Sequence, residues 1–268
     1  MILPTPRTRF ILIETSHAGN VGGVARAMKV MGFDDLVLVR PRWDNVLRRE
    51  ETIQRASGAL DVLRNARIVQ TLDEALEGMT HLCATAMVGR DFGPPTRTPR
   101  QHLGPLAQTQ PAPQGVAFLF GSERFGMSNE DVYRCHVALR IPTDPGFGSL
   151  NLASAVQVIA YEWREALGGW PDAARAQEAA AVGQALESAG TLVDTSPSAA
   201  LADAQQIAGL LQHWEASLIE IGFLDPQAPK KLMPRLQQLF NRAALTPEEV
   251  HILRGVARQM TRHSSDKG

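Results

Sequence analysis

Three segments of the chain combine glycines with polar or charged side chains in a way that could hold a ligand and act on it. The first is Gly19-Asn20-Val21-Gly22-Gly23-Val24-Ala25-Arg26. Its glycines permit close backbone approach, yet the G-x-G-x-x-G order of a dinucleotide cradle is absent. Asn20 by itself reads as a helix N-cap, and Arg26, nearly two turns further in and close to the same face, as a surface ion pair. The second is Phe120-Gly121-Ser122-Glu123-Arg124-Phe125-Gly126, directly after an apolar strand. It sets a carboxylate between glycines where an open sheet binds ligand beyond its strand ends. The plainer reading is a tight turn ahead of a helix that Ser128 caps with Asp131. The third runs from Ile141 through a Pro/Gly-rich loop to Gly148-Ser149-Leu150-Asn151-Leu152-Ala153. Free backbone N–H groups at such a helix start could hold a ligand, or Ser149 simply caps the helix.

These segments need elements to hold them. Apolar runs predict strands at 9–14, 35–39, 67–70, 81–86, 116–120 and 137–141, and helices at 20–31, 51–64, 71–77, 100–108 and 128–134. That alternation implies an α/β layer fold on a mainly parallel sheet. A helix from Ser149 to Leu167 closes the region, with Leu152, Val156, Ile159, Trp163 and Leu167 in one apolar stripe. The stripe reads as a core face or, more sharply, as a homodimer interface.

From Gly168 the composition changes: ten of the thirty residues from Pro171 to Ala200 are alanine, which reads as a linker or weakly helical segment. A small helical unit is predicted beyond it, with helices at 201–221 and 230–242. A third is opened by the capping box Thr246-Pro247-Glu248-Glu249. Three short helices make a small core, so the unit should lean on something else. From Pro226 to Gly268 it carries eight Lys or Arg against three Asp or Glu. The organisation expected is therefore 1–169, a linker at 170–200, and a helical extension at 201–268.

The 268 residues and 44% hydrophobic content fit a globular protein, and a net charge of −1 leaves any RNA affinity to local patches. Neither a secretory signal nor a membrane span is legible, which points to the cytoplasm. Cys83 and Cys135 read as two reduced thiols, and no His/Cys/Asp spacing predicts a metal site.

Taken together and in order, N-x-G-x-x-x-R, F-G-x-E-x-x-G and I-P…S-L-N-x-A resemble the three motifs of the SPOUT 2′-O-methyltransferases of the TrmH-like branch. Glu14-Thr15-Ser16-His17, Ala25-Arg26-Ala27-Met28 and Ala155-Val156-Gln157-Val158-Ile159-Ala160-Tyr161-Glu162 are similar to the members that methylate cytidine or uridine at position 32 of the tRNA anticodon loop. The likeness covers about 8–169 and resumes at Gly222-Phe223, Lys231-Leu232 and Ile252-Leu253-Arg254-Gly255. It implies a SPOUT fold with a C-terminal trefoil knot, which no periodicity shows, and a homodimer. It implies S-adenosylmethionine held by Thr85, Ala86, Met87, Gly121, Ile141, Gly148, Ser149 and Leu150. Asn20, Arg26, Glu123, Ser149 and Asn151 would form the acceptor side, with tRNA as partner. Relatives often carry an arginine where this chain has Val88, so an RNA contact made there in the family has no counterpart; Arg90 is retained.

Methyl transfer from a sulfonium to a ribose 2′-oxygen needs alignment and an incipient alkoxide rather than a metal. Neutral guanidine at pH 7 costs about 9 kcal/mol, at roughly 1.36 kcal/mol per pKa unit, so a charged Arg26 that stabilises the alkoxide is preferred to Arg26 as base. His17 is a conceivable proton acceptor. The same motifs fit an rRNA 2′-O-methyltransferase. A reading of another class is a non-catalytic RNA-binding protein of this fold.

Overall fold

The computed structural model describes residues 6–86, 89–170 and 200–265. Met87, Val88 and nearly all of the alanine-rich linker lie outside the described residues. Seven strands, β1 (Arg7–Ile13), β2 (Asp35–Val39), β3 (Arg67–Val69), β4 (His81–Thr85), β5 (Thr96–Arg97), β6 (Gly115–Phe120) and β7 (Val137–Leu139), form one sheet in the order β3-β2-β1-β6-β4-β7-β5. Every pairing is parallel. A parallel sheet is covered on both faces, so its strands read as near-continuous apolar runs. That is why RTRFILI and GVAFLF are so apolar, and every residue of both but Arg7 is buried.

Side chains alternate across the sheet. Phe10, Leu12, Phe118 and Phe120 enter one core with helices α1 (Ala18–Val30), α2 (Glu50–Ala56), α3 (Leu60–Asn65), α5 (Pro99–Ala107) and α7 (Leu152–Ala166). Ile11, Ile13, Ala117 and Leu119 enter the other, with α4 (Leu72–Leu76) and α6 (Asn129–Tyr133). Val21, Val24, Ala25 and Met28 make the apolar face of α1 at helical spacing. Gly22 lets α1 and α2 touch, since a Cβ there would meet the carbonyl oxygen of Thr52 at 2.1 Å.

Several expectations change at element ends. The helix predicted at 51–64 is two helices, α2 and α3, broken at Ser57, whose φ of 51° leaves the helical region. Two-residue β5 carries no periodic signal and lies outside the predicted strands. Helix α1 starts at Ala18 with His17 at the N-cap, so Asn20 does not cap it. Ser149 does not cap α7 either; the cap is Asn151, whose side chain accepts from the amide of Ala153.

The largest correction concerns the stripe on α7. Val156, Ile159 and Trp163 are 0% exposed and belong to the core of their own chain. Trp163 donates its indole N–H to Thr8 Oγ1 at 2.8 Å and sets its edge against Phe118. A surface already buried within the chain cannot also be a subunit interface, so the core reading of the stripe is the correct one.

Helices α8 (Ala204–Glu220), α9 (Leu232–Ala243) and α10 (Pro247–Ser265) share a third core around Leu210, Leu211, Phe240 and Val250. Capping boxes open α8 at Asp203 and α10 at Thr246, the second as predicted. The unit leans on the sheet layer. Ala204 donates to the carbonyl of Met79, the amides of Gln238 and Asn241 bond carbonyls at 133–135, and Lys231 and Arg235 sit over the ring of Phe92. Among the described residues no helix is long and apolar enough to cross a membrane.

Candidate functional site

Strands β1, β4, β6 and β7 end side by side, and the loops beyond their C-terminal ends close around a cavity of about 490 Å³. Its size lies within the roughly 300–1,000 Å³ of small-molecule pockets. Thr85 and Ala86 line it from the end of β4, Gly121 from β6, Ile141 from beyond β7, and Gly148, Ser149 and Leu150 from the loop into α7. Thus every described residue expected to hold the cofactor meets at one cavity; Met87 lies outside the described residues. Gly121 is required by the turn itself, because a Cβ there would fall 2.2 Å from the carbonyl carbon of Gly126.

The polar side of the cavity is built around Glu123. Its carboxylate accepts from Thr15 Oγ1 at 2.9 Å, from the amide and hydroxyl of Ser16 at 2.8 Å each, and from Asn20 Nδ2 at 2.7 Å. Asn20 Oδ1 in turn accepts from Asn151 Nδ2 at 2.9 Å. One chain of hydrogen bonds therefore ties the three segments together. Partial burial pushes the Glu123 carboxyl up, but donors from Asn20 and Ser16 outweigh it and hold the group at about 2. Asn20 has both ends of its amide committed, which explains why it does not serve as a cap.

Thr15 and Ser16 enter the sequence reading only through the family resemblance, with no role of their own. The available signal is their place directly after β1, at the ligand-binding edge of an open sheet. Thr143 also lines the cavity and carries no signal in the sequence.

Arg26 is the exception. It is exposed and is not among the residues lining this cavity. Six residues at 100° apiece total about 600°, some 120° short of two turns, so Asn20 and Arg26 do not share a face. The expectation that they do is corrected. His17 lines the cavity mouth together with Asn20. Sequence spacing does not disclose that folding brings His81, Cys83 and His102 together, with one ligand atom from each within 4.8 Å of the others.

A pH dependence follows from Glu123. Its folded pKa of about 2 lies below its ordinary 4.5, so the linked stability is present above about pH 4.5 and is lost as pH falls toward 2. Urea titrations at pH 7, 4 and 3 should show this decline, and Glu123→Ala should flatten it. An identical decline in the variant would assign the loss to other groups.

Comparison with known proteins matches residues 7–161 to the SpoU rRNA methylase family and residues 205–268 to the C-terminal domain of the tRNA methyltransferase TrmJ. The chain is 42% identical over 250 residues to the tRNA (cytidine/uridine/adenosine-2′-O-)-methyltransferase TrmJ of Pseudomonas aeruginosa, covering 93% of this chain and 92% of that one. It is 40% identical over 260 residues to the tRNA (cytidine/uridine-2′-O-)-methyltransferase TrmJ of Klebsiella pneumoniae, covering 97% and 98%. Among solved structures, TrmJ from Z. mobilis ZM4 superimposes with a TM-score of 0.74 at 29% identity, over 96% of this chain and 99% of that one.

Proposed function

This chain belongs to the SpoU rRNA methylase family, in its TrmJ branch, and from that premise we propose that it is a tRNA 2′-O-methyltransferase that uses S-adenosylmethionine and acts at position 32 of the anticodon loop. The observation that carries the reading is the junction of Asn20, Glu123 and Asn151 at the rim of the cavity lined by Thr85, Gly121, Ile141 and Leu150. The cavity fits an adenosine-bearing cofactor: apolar walls from Leu139, Ile141, Leu150 and Leu152 stand beside the backbone of tight glycine turns. S-adenosylmethionine, when bound, supplies a methyl group already activated on sulfonium.

The chain's own groups have the remaining tasks. Glu123 stays ionised and holds the turn after β1 against the turn after β6, which fixes Asn20 at the mouth. Ser149 and Asn151 edge the same mouth, where a ribose hydroxyl would be oriented. A charged Arg26 stabilises the developing 2′-alkoxide. Because Arg26 lies outside the cavity of its own chain, the protein acts as a homodimer in which the partner subunit's Arg26 completes each site. The same membership supports a SPOUT domain over 1–169 with a C-terminal trefoil knot. Insertion of β6 between β1 and β4, and of β7 between β4 and β5, is consistent with such threading. A linker at 170–200 and a tRNA-binding extension at 201–268 complete the chain, and the cytoplasm is where such a protein meets its substrate.

Incubation of purified tRNA and rRNA with labelled S-adenosylmethionine, followed by nuclease digestion and mass spectrometry, tests the assignment. Methyl groups on rRNA and none on tRNA would overturn it. For the extension, exposed Lys230, Arg242 and Arg258 are the groups to neutralise. Their joint replacement by alanine should weaken tRNA binding and reduce the log–log salt slope by about one for each phosphate that these side chains engage. Cofactor affinity should be unchanged. An unaltered slope would place the tRNA-binding surface elsewhere.

A further inference from the structure

The chain has seven histidines and two cysteines, and the fold gathers three of those histidines and one of those cysteines at a single place. His81 and Cys83 share one face of β4, and His102 faces them from α5. His81 Nε2 and His102 Nε2 are 3.0 Å apart, and with the Cys83 ligand atom all three lie within 4.8 Å of one another. His136 packs against His81, with ring centroids 4.6 Å apart and the rings tilted by 33°. This cluster sits at the start of β4, while the cavity of the proposed methyl transfer meets its end at Thr85. Four residues of strand put about 13 Å between them. Nothing in the methyl transfer uses these groups.

Three features need an account that packing alone does not give. Two half-buried imidazoles and one buried thiol add polar atoms beside an apolar core, where each must find a partner. His81 and His102 aim their Nε2 atoms at each other across 3.0 Å, so at least one of the two presents a lone pair to the gap between them. His136 is fixed in another role. Its Nδ1 accepts the amide of Leu82, which leaves the hydrogen on Nε2 and makes it a wall of the cluster rather than a ligand.

From this geometry we infer that His81, Cys83 and His102 form a binding site for one zinc-class divalent ion. Borderline-soft ions prefer this mixture of imidazole and thiolate, and three protein ligands with one open position is a known zinc arrangement. Two imidazole nitrogens each about 2.0–2.1 Å from a tetrahedral ion stand roughly 3.3 Å apart, close to the spacing here. The remaining position faces a second cavity, of about 340 Å³, which His81 and His102 line together with Ala202, Phe240 and Asn241 of the C-terminal helices. Water from that cavity is the fourth ligand. On binding, the Cys83 thiol releases its proton to solvent and sulfur donates an electron pair to the ion; the single hydrogen between the two imidazoles moves to Nδ1 of the ring that carried it, so that both Nε2 lone pairs face the ion. The ion then pins β4 to α5 beneath the C-terminal helices.

The full-length protein, dialysed against a chelator and titrated with Co²⁺, tests this. The expected result is one equivalent bound, with a thiolate-to-cobalt charge-transfer absorption that Zn²⁺ displaces. Cys83→Ser should abolish the absorption, His102→Gln should weaken binding by more than about tenfold, and Cys135→Ser should leave both intact. Circular dichroism of each variant separates loss of ligand from loss of fold. Should His102→Gln prove unfolded, the Cys83→Ser and Cys135→Ser pair decides. No absorption in the wild-type protein, or the same absorption in folded Cys83→Ser, overturns the site and leaves an imidazole–imidazole hydrogen bond in the core.

Discussion

Replacing Arg26 with alanine is expected to lower the single-turnover methylation rate by roughly 10²–10⁴-fold, the usual range for removing one such group. S-adenosylmethionine affinity should hardly change, because Arg26 does not line the cavity. Lysine at this position keeps the charge without the planar fork and should rescue only in part. The proposed dimer makes the effect testable in a second way. An Arg26→Ala chain and an Asn20→Ala chain, each inactive as a homodimer, should regain activity when mixed and reassembled. In the mixed dimer one site has both an intact Asn20 and an intact Arg26 from the opposite subunit. Recovery absent from the mixture, with heterodimers demonstrated, would place Arg26 in the site of its own chain. Near-normal turnover of Arg26→Ala would remove it from catalysis altogether.

Val156→Asp should unfold the protein rather than release folded monomers. Val156 is 0% exposed, in a core shared with Phe118, Ile159 and Trp163. Among the described residues Arg9 is the buried cation, and it is held by Asp35 and the carbonyls of Ala75 and Glu77 on the opposite face of the sheet. A charge buried without a partner costs several kcal/mol, a large share of a net stability of about 5–15 kcal/mol. Denaturant melts with near-UV circular dichroism should show a lost or sharply weakened transition. Light scattering that reported a compact monomer with wild-type stability would return the helix to the interface role that its spacing suggests.

The contrast between these two residues shows how much the sequence discloses. A 3- and 4-residue apolar spacing places Val156 on a buried face but does not say which neighbour buries it. That depends on how the sheet presents Phe118 and Thr8, residues more than thirty positions away. Strand–helix alternation suffices for the parallel sheet and for six of its seven strands; β5, at two residues, has no period to read. The three segments are legible as candidate sites because glycine, carboxylate and amide fall at strand ends. What the chain's linear order hides is which donors satisfy Glu123. Thr15 and Ser16 are ordinary turn residues until folding sets them 2.8–2.9 Å from its carboxylate. Arg26 departs from its expected place for a plain reason of angle, and the His81–Cys83–His102 cluster is hidden because two of its members sit on β4 and the third on α5.

The bonds that unite the site also fix when it can exist. Thr15 and Glu123 are 108 residues apart, and Asn20 and Asn151 are 131 apart. Closing such long loops adds little to the free energy, about 0.6 kcal/mol for each doubling of length, but contacts this remote form late. At about 5–20 residues per second, a ribosome takes roughly 7–26 s to travel from Asn20 to Asn151. Through most of that interval the nascent chain holds β1 and β2 without β6, the strand that separates β1 from β4 in the finished sheet. The apolar edge of β1 is open to other chains until synthesis passes Phe120. Loss of β1's edge exposure and the first binding of cofactor should therefore mark two separate moments in the life of the chain, the second following the first by the time needed to make and seat α7.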